Sequence, residues 1–162
     1  MKIMILSRNV AKDVSPVAQG LGKTAMIRIS SLPEIPPLTF KDEYQDVIEF
    51  NFDDVTDGWF NQAVKEEGFS AVLQQARPID LDEAKRIVEF AQKNEDVDTL
   101  IVHCDAGVCR SAGVALALCR YVYQDWDNHN MIQQSAKFRP NLTVVDRIRE
   151  ACPLPIYVPF SN

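Results

Sequence analysis

Two residues close together in the chain, Cys104 and Arg110, are by type and spacing the best suited to chemistry. A thiolate is a strong nucleophile, and a guanidinium group presents a planar fork of N–H donors that matches two oxygens of a phosphate. Gly107 lies between these residues, and Ser111 follows the arginine. The segment therefore predicts a reactive thiol inside an anion-binding loop.

Two predicted elements would hold this loop in place. Residues 99–103 form a short apolar run that is typical of a buried strand in a parallel sheet, and residues 110–123 are apolar almost all round, which predicts a buried helix. Ligands of α/β proteins bind where a loop leaves the carboxyl end of a strand and enters the N-terminus of a helix. The unpaired N–H groups there favour an anion, and they would also make the thiol of Cys104 more acidic.

The rest of the chain alternates between further strands and helices. Hydrophobic alternation predicts strands at residues 1–7, 24–30 and 46–52. We expect helices near residues 59–66, after a capping box of Asp80 and Glu83, near residues 128–136 and near residues 142–152. The pattern predicts an α/β fold with a mostly parallel central sheet of about four to five strands flanked by helices. We expect a single domain that spans residues 1–162.

The loop resembles a known signature. Residues 103–111, His-Cys-Asp-Ala-Gly-Val-Cys-Arg-Ser, are similar to the HCxxGxxR[ST] motif of the protein tyrosine phosphatase and dual-specificity phosphatase superfamily. The Phe-Arg-Pro-Asn segment at residues 138–141 is similar to elements that follow the motif in the small dual-specificity enzymes. The resemblance covers residues 25–152. It implies a cysteine-phosphatase-like three-layer sandwich and a cofactor-free, metal-free hydrolase of phosphotyrosine, with phosphoserine and phosphothreonine as further candidate substrates.

The resemblance also implies a role for each residue of the loop. Cys104 would attack phosphorus and form a cysteinyl-phosphate, Arg110 would bind the substrate and the transition state, and Ser111 would hydrogen-bond the departing thiolate. His103 would orient the loop rather than act as a base. Backbone amides would bind the phosphate oxygens along the whole loop, from Asp105, Ala106, Gly107, Val108, Cys109 and Arg110.

A general acid is also needed, because the leaving oxygen must be protonated. The resemblance implies an aspartate on a loop after an earlier strand, and the predicted strand at residues 46–52 leads directly into Asp53 and Asp54. We assign the acid to Asp54, with Asp53 as the alternative. Asp57 precedes a glycine and is typical of a turn.

Composition limits the remaining possibilities. The formal net charge of -6 argues against nucleic acid or an anionic membrane as the main partner. No apolar run approaches the length of a membrane span and no signal peptide is recognisable, so we expect a cytoplasmic protein whose partner is a phosphorylated protein or a small phosphomonoester. The four cysteines form no CxxC pair, which argues against a zinc site. The oligomeric state is not predicted.

Three other functions remain open at this stage. Cys104 could serve a rhodanese-type sulfurtransferase, or an arsenate reductase in which a second cysteine resolves a disulfide. The third is a phosphate-binding module without catalysis. Two neighbours of the nucleophile add hypotheses: Cys109 could capture an oxidised Cys104, and the charge of Asp105 would oppose highly charged substrates such as phosphoinositides. We also expect His129 at the surface and the Trp59–Phe60 pair in the core.

Overall fold

The computed structural model describes residues 1–153 and contains one sheet of four parallel strands. The strands lie in the order β1-β4-β2-β3, where β1 is Lys2–Ser7, β2 is Thr24–Ile29, β3 is Asp46–Phe50 and β4 is Thr99–Cys104. The predicted α/β class and the parallel sheet are confirmed. Residues 154–162 of the predicted domain lie outside the described residues.

Seven α-helices connect and cover these strands within the described part of the chain. They are α1 (Arg8–Ala11), α2 (Asp57–Glu67), α3 (Phe69–Gln75), α4 (Leu81–Lys93), α5 (Arg110–Leu118), α6 (Trp126–Gln134) and α7 (Leu142–Ala151). A π-helical turn, Cys119–Tyr123, extends α5 to the end of the predicted buried helix. None of the helices in residues 1–153 combines the length and the apolar character needed to cross a bilayer.

Side-chain hydrogen bonds explain where most of the helices start. The capping box predicted at Asp80 and Glu83 is present at the start of α4. Thr56 caps α2, which therefore begins two residues before the predicted start, and Asp125 caps α6 in the same way. Sequence patterns did not predict α3, which Gly68 separates from α2 by adopting a φ of 88°.

The strand β4 lies at the centre of the sheet and all six of its residues are buried. Alternate side chains point to opposite faces. One face packs on α4, α5, α6 and α7 through a large apolar cluster that includes Leu100 and Val102, whereas Ile101 faces a smaller cluster with Ala11 of α1 and residues of the loops. Burial on both faces fixes the end of β4 rigidly, and this end positions the loop.

Two predictions about aromatic and histidine side chains were wrong. His129 is only 6% exposed, because it lies on the inner face of α6 with its ring edge-on to Trp126, 5.4 Å between centroids. Trp59 is 45% exposed, although its neighbour Phe60 packs edge-on against Phe69. In both helices the spacing of apolar residues was too irregular to show which face points inward.

Candidate active site

The loop between β4 and α5 is short and lies above the middle of the sheet. β4 ends at Cys104, which is 2% exposed, and α5 begins at Arg110. In the parallel sheet Cys104 pairs with Ser7 of β1, and His103 pairs with Arg28 of β2. Cys104 therefore lies at the edge where the carboxyl ends of three adjacent strands meet.

Gly107 makes the tight curvature of the loop possible. Its φ is 72°, a left-handed conformation that other residues adopt at a cost. A Cβ atom at this position would lie 2.5 Å from the backbone carbon of Leu6 and from the nitrogen of Ser7, so the loop packs directly on the end of β1. This close approach accounts for a glycine here in structural terms.

The loop is tied to its surroundings through its carbonyl groups. Three carbonyl oxygens accept backbone N–H groups from other segments: Asp105 from Arg8 at 3.4 Å, Val108 from Arg139 at 3.0 Å and Cys109 from Asn141 at 3.1 Å. In a trans peptide the next N–H points the opposite way, so the amides that follow these carbonyls point away from those segments. Moreover, α5 has no side-chain cap, which leaves its first N–H groups open. We call this loop, residues 104–110, the nest, because backbone N–H groups in such a curved segment favour an anion.

The thiol of Cys104 lies among these donors. Its Sγ is 3.1 Å from Oγ of Ser111 and accepts the N–H of Gly107 at 3.2 Å. Burial acts to raise the pKa of Cys104, but the Ser111 hydroxyl and the amides of Ser111, Val108 and Gly107 outweigh it, and the pKa is lowered. The nest thus favours the thiolate, the nucleophilic form.

Arg110 is 5% exposed and only part of its hydrogen-bonding capacity is used. Its Nη1 donates to the carbonyl oxygen of Phe52 at 2.7 Å and to Oγ of Ser31 at 2.9 Å, and its Nη2 donates to Oδ2 of Asp105 at 2.8 Å. Nε is buried and has no partner among residues 1–153. A guanidinium has five N–H donors, so Nε–H and one N–H of Nη2 remain for a ligand. A buried charged donor without a partner is costly, and an anion would satisfy it.

Asp105 joins the loop to two other segments. Its carboxylate pairs with Arg8 and Arg110, and it accepts the hydroxyl of Ser30 at 2.6 Å and the N–H of Ser31 at 3.1 Å. Burial opposes ionisation, but the bonds from Ser30, Ser31 and Arg110 prevail and lower the pKa of Asp105 to about 2. Its charge is thus offset by two guanidinium groups, and the carboxylate serves as an anchor for the loop and for Arg110.

His103 is buried beneath the loop and bonded to a second buried side chain. Its Nε2 accepts a hydrogen bond from Nε–H of Arg28 at 3.2 Å. Arg28 also donates to Glu49 and to the carbonyl oxygen of Pro36. Burial and the charge of Arg28 lower the pKa of His103 to about 4, so the imidazole is neutral at pH 7. This geometry suits an orienting role and not that of a base near neutral pH. Arg28 was not identified from the sequence, where it is one polar residue in an alternating strand.

The three aspartates after β3 have different surroundings. Asp53 is used structurally, because its carboxylate accepts the N–H of Arg77 at 2.7 Å. Asp57 pairs with Arg147 at 2.9 and 3.0 Å at the start of α2. Asp54 is exposed, and Nδ2 of Asn141 donates to its Oδ1 at 2.8 Å. Of the three carboxylates, that of Asp54 is therefore the best placed to act on a ligand in the loop.

The side chain of Cys109 contacts Asp54 from the nest. Burial, followed by the neighbouring Asp54 carboxylate and the charge of Cys104, raises the pKa of Cys109 to about 11. Cys109 is therefore a thiol at neutral pH, and its contact with Asp54 brings the aspartate to the rim of the loop. The redox role of Cys109 stays a prediction. A protonated thiol would attack an oxidised Cys104 slowly.

The structure thus brings together the predicted site residues, namely His103, Cys104, the loop from Asp105 to Arg110, Ser111 and Asp54. Arg8, Ser30 and Ser31 were missed. Their one signal in the sequence was their position near the ends of predicted strands, since the carboxyl ends of parallel strands meet at one edge of a sheet. No group of three or more His, Cys, Asp or Glu side chains in residues 1–153 is arranged to hold a metal ion.

Comparisons with known proteins agree on the fold. No protein-family model matches the sequence, and no curated protein matches it. Solved structures do match: Tk-PTP in the active form is 11% identical with a TM-score of 0.54, over 93% of this chain and 91% of that one. Human DUSP28 is 14% identical with a TM-score of 0.54, over 92% and 90%.

PTPMT1 in complex with PI(5)P is 14% identical with a TM-score of 0.52, over 93% of this chain and 89% of that one. The chain therefore has the fold of the tyrosine and dual-specificity phosphatases, as the resemblance in the loop predicted.

Proposed function

We propose that this protein is a phosphomonoesterase that uses Cys104 as its nucleophile. One observation carries the proposal: a buried thiol of lowered pKa lies in a nest of backbone N–H groups beside Arg110, which keeps unused donors. The same donors that favour the thiolate would bind a phosphate. Nucleophile and electrophile would therefore meet in one loop.

In the first step, the thiolate of Cys104 attacks phosphorus in line with the leaving oxygen. The S–P bond forms, and the bond from phosphorus to the leaving oxygen breaks. Charge on the three equatorial oxygens is stabilised by the N–H groups of the nest and by Arg110. Asp54 donates a proton to the leaving oxygen, which departs as a phenol or an alcohol.

In the second step, water hydrolyses the cysteinyl-phosphate and restores the thiolate. Asp54, now a carboxylate, takes a proton from this water as the P–O bond forms. The departing sulfur needs a hydrogen-bond donor, and Oγ of Ser111 lies 3.1 Å from Sγ of Cys104. His103 stays neutral under the loop and holds its shape.

For the substrate we propose phosphotyrosine in proteins, with phosphoserine and phosphothreonine as further substrates, in a cytoplasmic setting. PTPMT1 has been solved in complex with PI(5)P, but the loop of this chain contains no lysine that could bind a further phosphate of such a lipid. Its one acidic residue, Asp105, is already paired with Arg8 and Arg110. The loop thus has the positive charge to bind one phosphate group, and it has no unpaired cation to bind a second one.

The two alternative reactions at Cys104 fit the surrounding residues less well. An arsenate reductase requires a resolving cysteine, but burial raises the pKa of Cys119 to about 12, that of Cys109 to about 11 and that of Cys152 above its usual value. All three are thiols at neutral pH. A rhodanese-type sulfurtransferase would give no reason for Asp54 at the rim of the loop.

The assignment of the acid gives the first prediction. With phenyl phosphate, whose leaving group is poor, we expect Asp54→Ala to lower kcat about 10²-fold or more, the usual size of a general-acid contribution. With p-nitrophenyl phosphate, whose leaving group departs readily, the loss should be much smaller. The measurement is steady-state hydrolysis of both esters under the same conditions.

Asp53→Ala is the matched control. It removes a carboxylate from the adjacent position, where the side chain bonds to the backbone of Arg77. We expect it to lower the melting temperature and to affect both esters equally. If Asp53→Ala instead selectively slows phenyl phosphate and Asp54→Ala does not, the acid is Asp53. If the wild-type protein hydrolyses neither ester, the proposed function is wrong.

A further inference from the structure

Asn141 connects the aspartate at the rim to the start of α7. The residue is 7% exposed. Its Nδ2 donates to Oδ1 of Asp54 at 2.8 Å and to the carbonyl oxygen of Val55 at 3.3 Å, while its Oδ1 accepts the N–H of Val144 at 3.2 Å and caps α7. Both ends of the amide are therefore used, which fixes its orientation.

The backbone of Asn141 is fixed as firmly as its side chain. Its N–H donates to the carbonyl oxygen of Cys109 at 3.1 Å, inside the nucleophile loop. A Cβ atom at Gly113 of α5 would lie 2.9 Å from the carbonyl oxygen of Asn141, so helix and asparagine are in close contact. One residue thus holds the acid loop at a set distance from the loop that contains Cys104.

The contact with Asp54 has a chemical consequence. Asp54 is exposed, and besides Asn141 its carboxylate contacts the thiol of Cys109. Because Oδ1 accepts the amide N–H of Asn141, the acidic proton of a protonated Asp54 resides on Oδ2. A general acid acts only when its proton is within hydrogen-bond reach of the leaving oxygen, so fixing one oxygen orients the other.

We propose that Asn141 is a positioning residue that aims Oδ2 of Asp54 at the leaving oxygen. The proposal rests on the proposed function, because it concerns the proton-transfer step of that reaction. Asn141 itself touches neither the substrate nor the reacting atoms. Its effect therefore acts through the proton transfers of Asp54, and it should be largest for substrates whose leaving group needs a proton.

The test uses Asn141→Ser, which keeps the cap of α7 but lacks the amide. Serine is as good an N-cap as asparagine, and the change adds no charge. We expect the ratio of kcat for phenyl phosphate to kcat for p-nitrophenyl phosphate to fall about tenfold, the effect of one hydrogen bond to a charged group. Asn141→Thr is the second variant, since it also keeps an uncharged cap and lacks the amide.

A double-mutant cycle separates positioning from a structural role. In the Asp54→Ala background there is no acid to aim, so Asn141→Ser should leave the ratio of the two rates unchanged. If Asn141→Ser lowers both rates equally in both backgrounds, the residue is only structural and the proposal is wrong. Should the serine variant fail to fold, the same comparison is made with Asn141→Thr.

Failure of the proposed function would look different. In that case the wild-type protein would lack hydrolysis that depends on Cys104, or Asp54→Ala would not discriminate between the two esters. The inference fails on its own when wild type and Asp54→Ala behave as expected and only the Asn141 variants leave the ratio unchanged.

Discussion

Cys104→Ser is expected to lower kcat for p-nitrophenyl phosphate by about 10⁴-fold or more, because the two-step reaction cannot proceed without its covalent nucleophile. The nest lowers the pKa of the thiol, but the pKa of a serine hydroxyl starts from a much higher value, so serine stays protonated. Serine is close to cysteine in size, so the loop and its donors should remain. Binding of inorganic phosphate should therefore survive, and hydrolysis should not.

Cys119→Ser is the matched control for this prediction. Cys119 is also fully buried and free, but it lies at the far end of α5. We expect this variant to lose some stability, since a hydroxyl replaces a thiol in an apolar site, and to keep its kcat. Steady-state kinetics and thermal melts on both variants decide the point. Full activity in Cys104→Ser would rule out the thiol as the nucleophile.

Arg110→Lys is expected to lower kcat/KM by about 10³-fold. Lysine keeps the positive charge but presents a point charge in place of a planar fork, so it cannot give two parallel N–H bonds to phosphate oxygens. Loss of a donor that acts on the transition state costs about two to three orders of magnitude. Most of the loss should fall on kcat, because charge on the equatorial oxygens changes during the reaction.

The structure also shows why Arg110→Lys needs a control for loop geometry. Arg110 bonds to Ser31, Phe52 and Asp105, so part of any loss could come from a displaced loop. Arg147→Lys makes the same exchange at a guanidinium whose Nη2 donates to both carboxylate oxygens of Asp57. That variant should keep kcat/KM within about threefold, since the pair lies outside the nest. Equal losses in the two variants would contradict the role given to Arg110.

The nucleophile loop was the most predictable part of the site, because all its determinants are local. A buried apolar strand, a glycine and an apolar helix follow one another in the chain, and the thiol lies at the first junction. Gly107 was expected in a tight loop, and its φ of 72° agrees. What the sequence could not show was the reason for the glycine, which is contact with β1 from the other end of the chain.

The surroundings of the loop were less predictable, since they depend on contacts between distant segments. Asp105 was expected to repel charged substrates, and only the fold shows that Arg8 neutralises it together with Arg110. Likewise, the choice between Asp53 and Asp54 rested on position in a motif. The structure separates the two through their partners, which are the backbone of Arg77 and the side chain of Asn141.

Helices at the surface were the weakest part of the sequence interpretation. The segment that forms α3 has neither a capping residue nor a regular apolar stripe, so nothing distinguished it from a loop. For α6 the cap at Asp125 was not recognised, so the helix begins two residues before the predicted start. His129 was expected at the surface because the sequence showed no partner for it, whereas the fold buries it beside Trp126.

Trapping of the covalent intermediate tests the central claim most directly. Ser111→Ala removes the hydroxyl 3.1 Å from the sulfur of Cys104, so hydrolysis of a cysteinyl-phosphate should become the slow step. Rapid mixing with p-nitrophenyl phosphate should then give a burst of one p-nitrophenol per protein, and mass spectrometry should find one phosphate on the peptide that contains Cys104. Turnover without a burst, or phosphate attached to any other residue, would contradict the account.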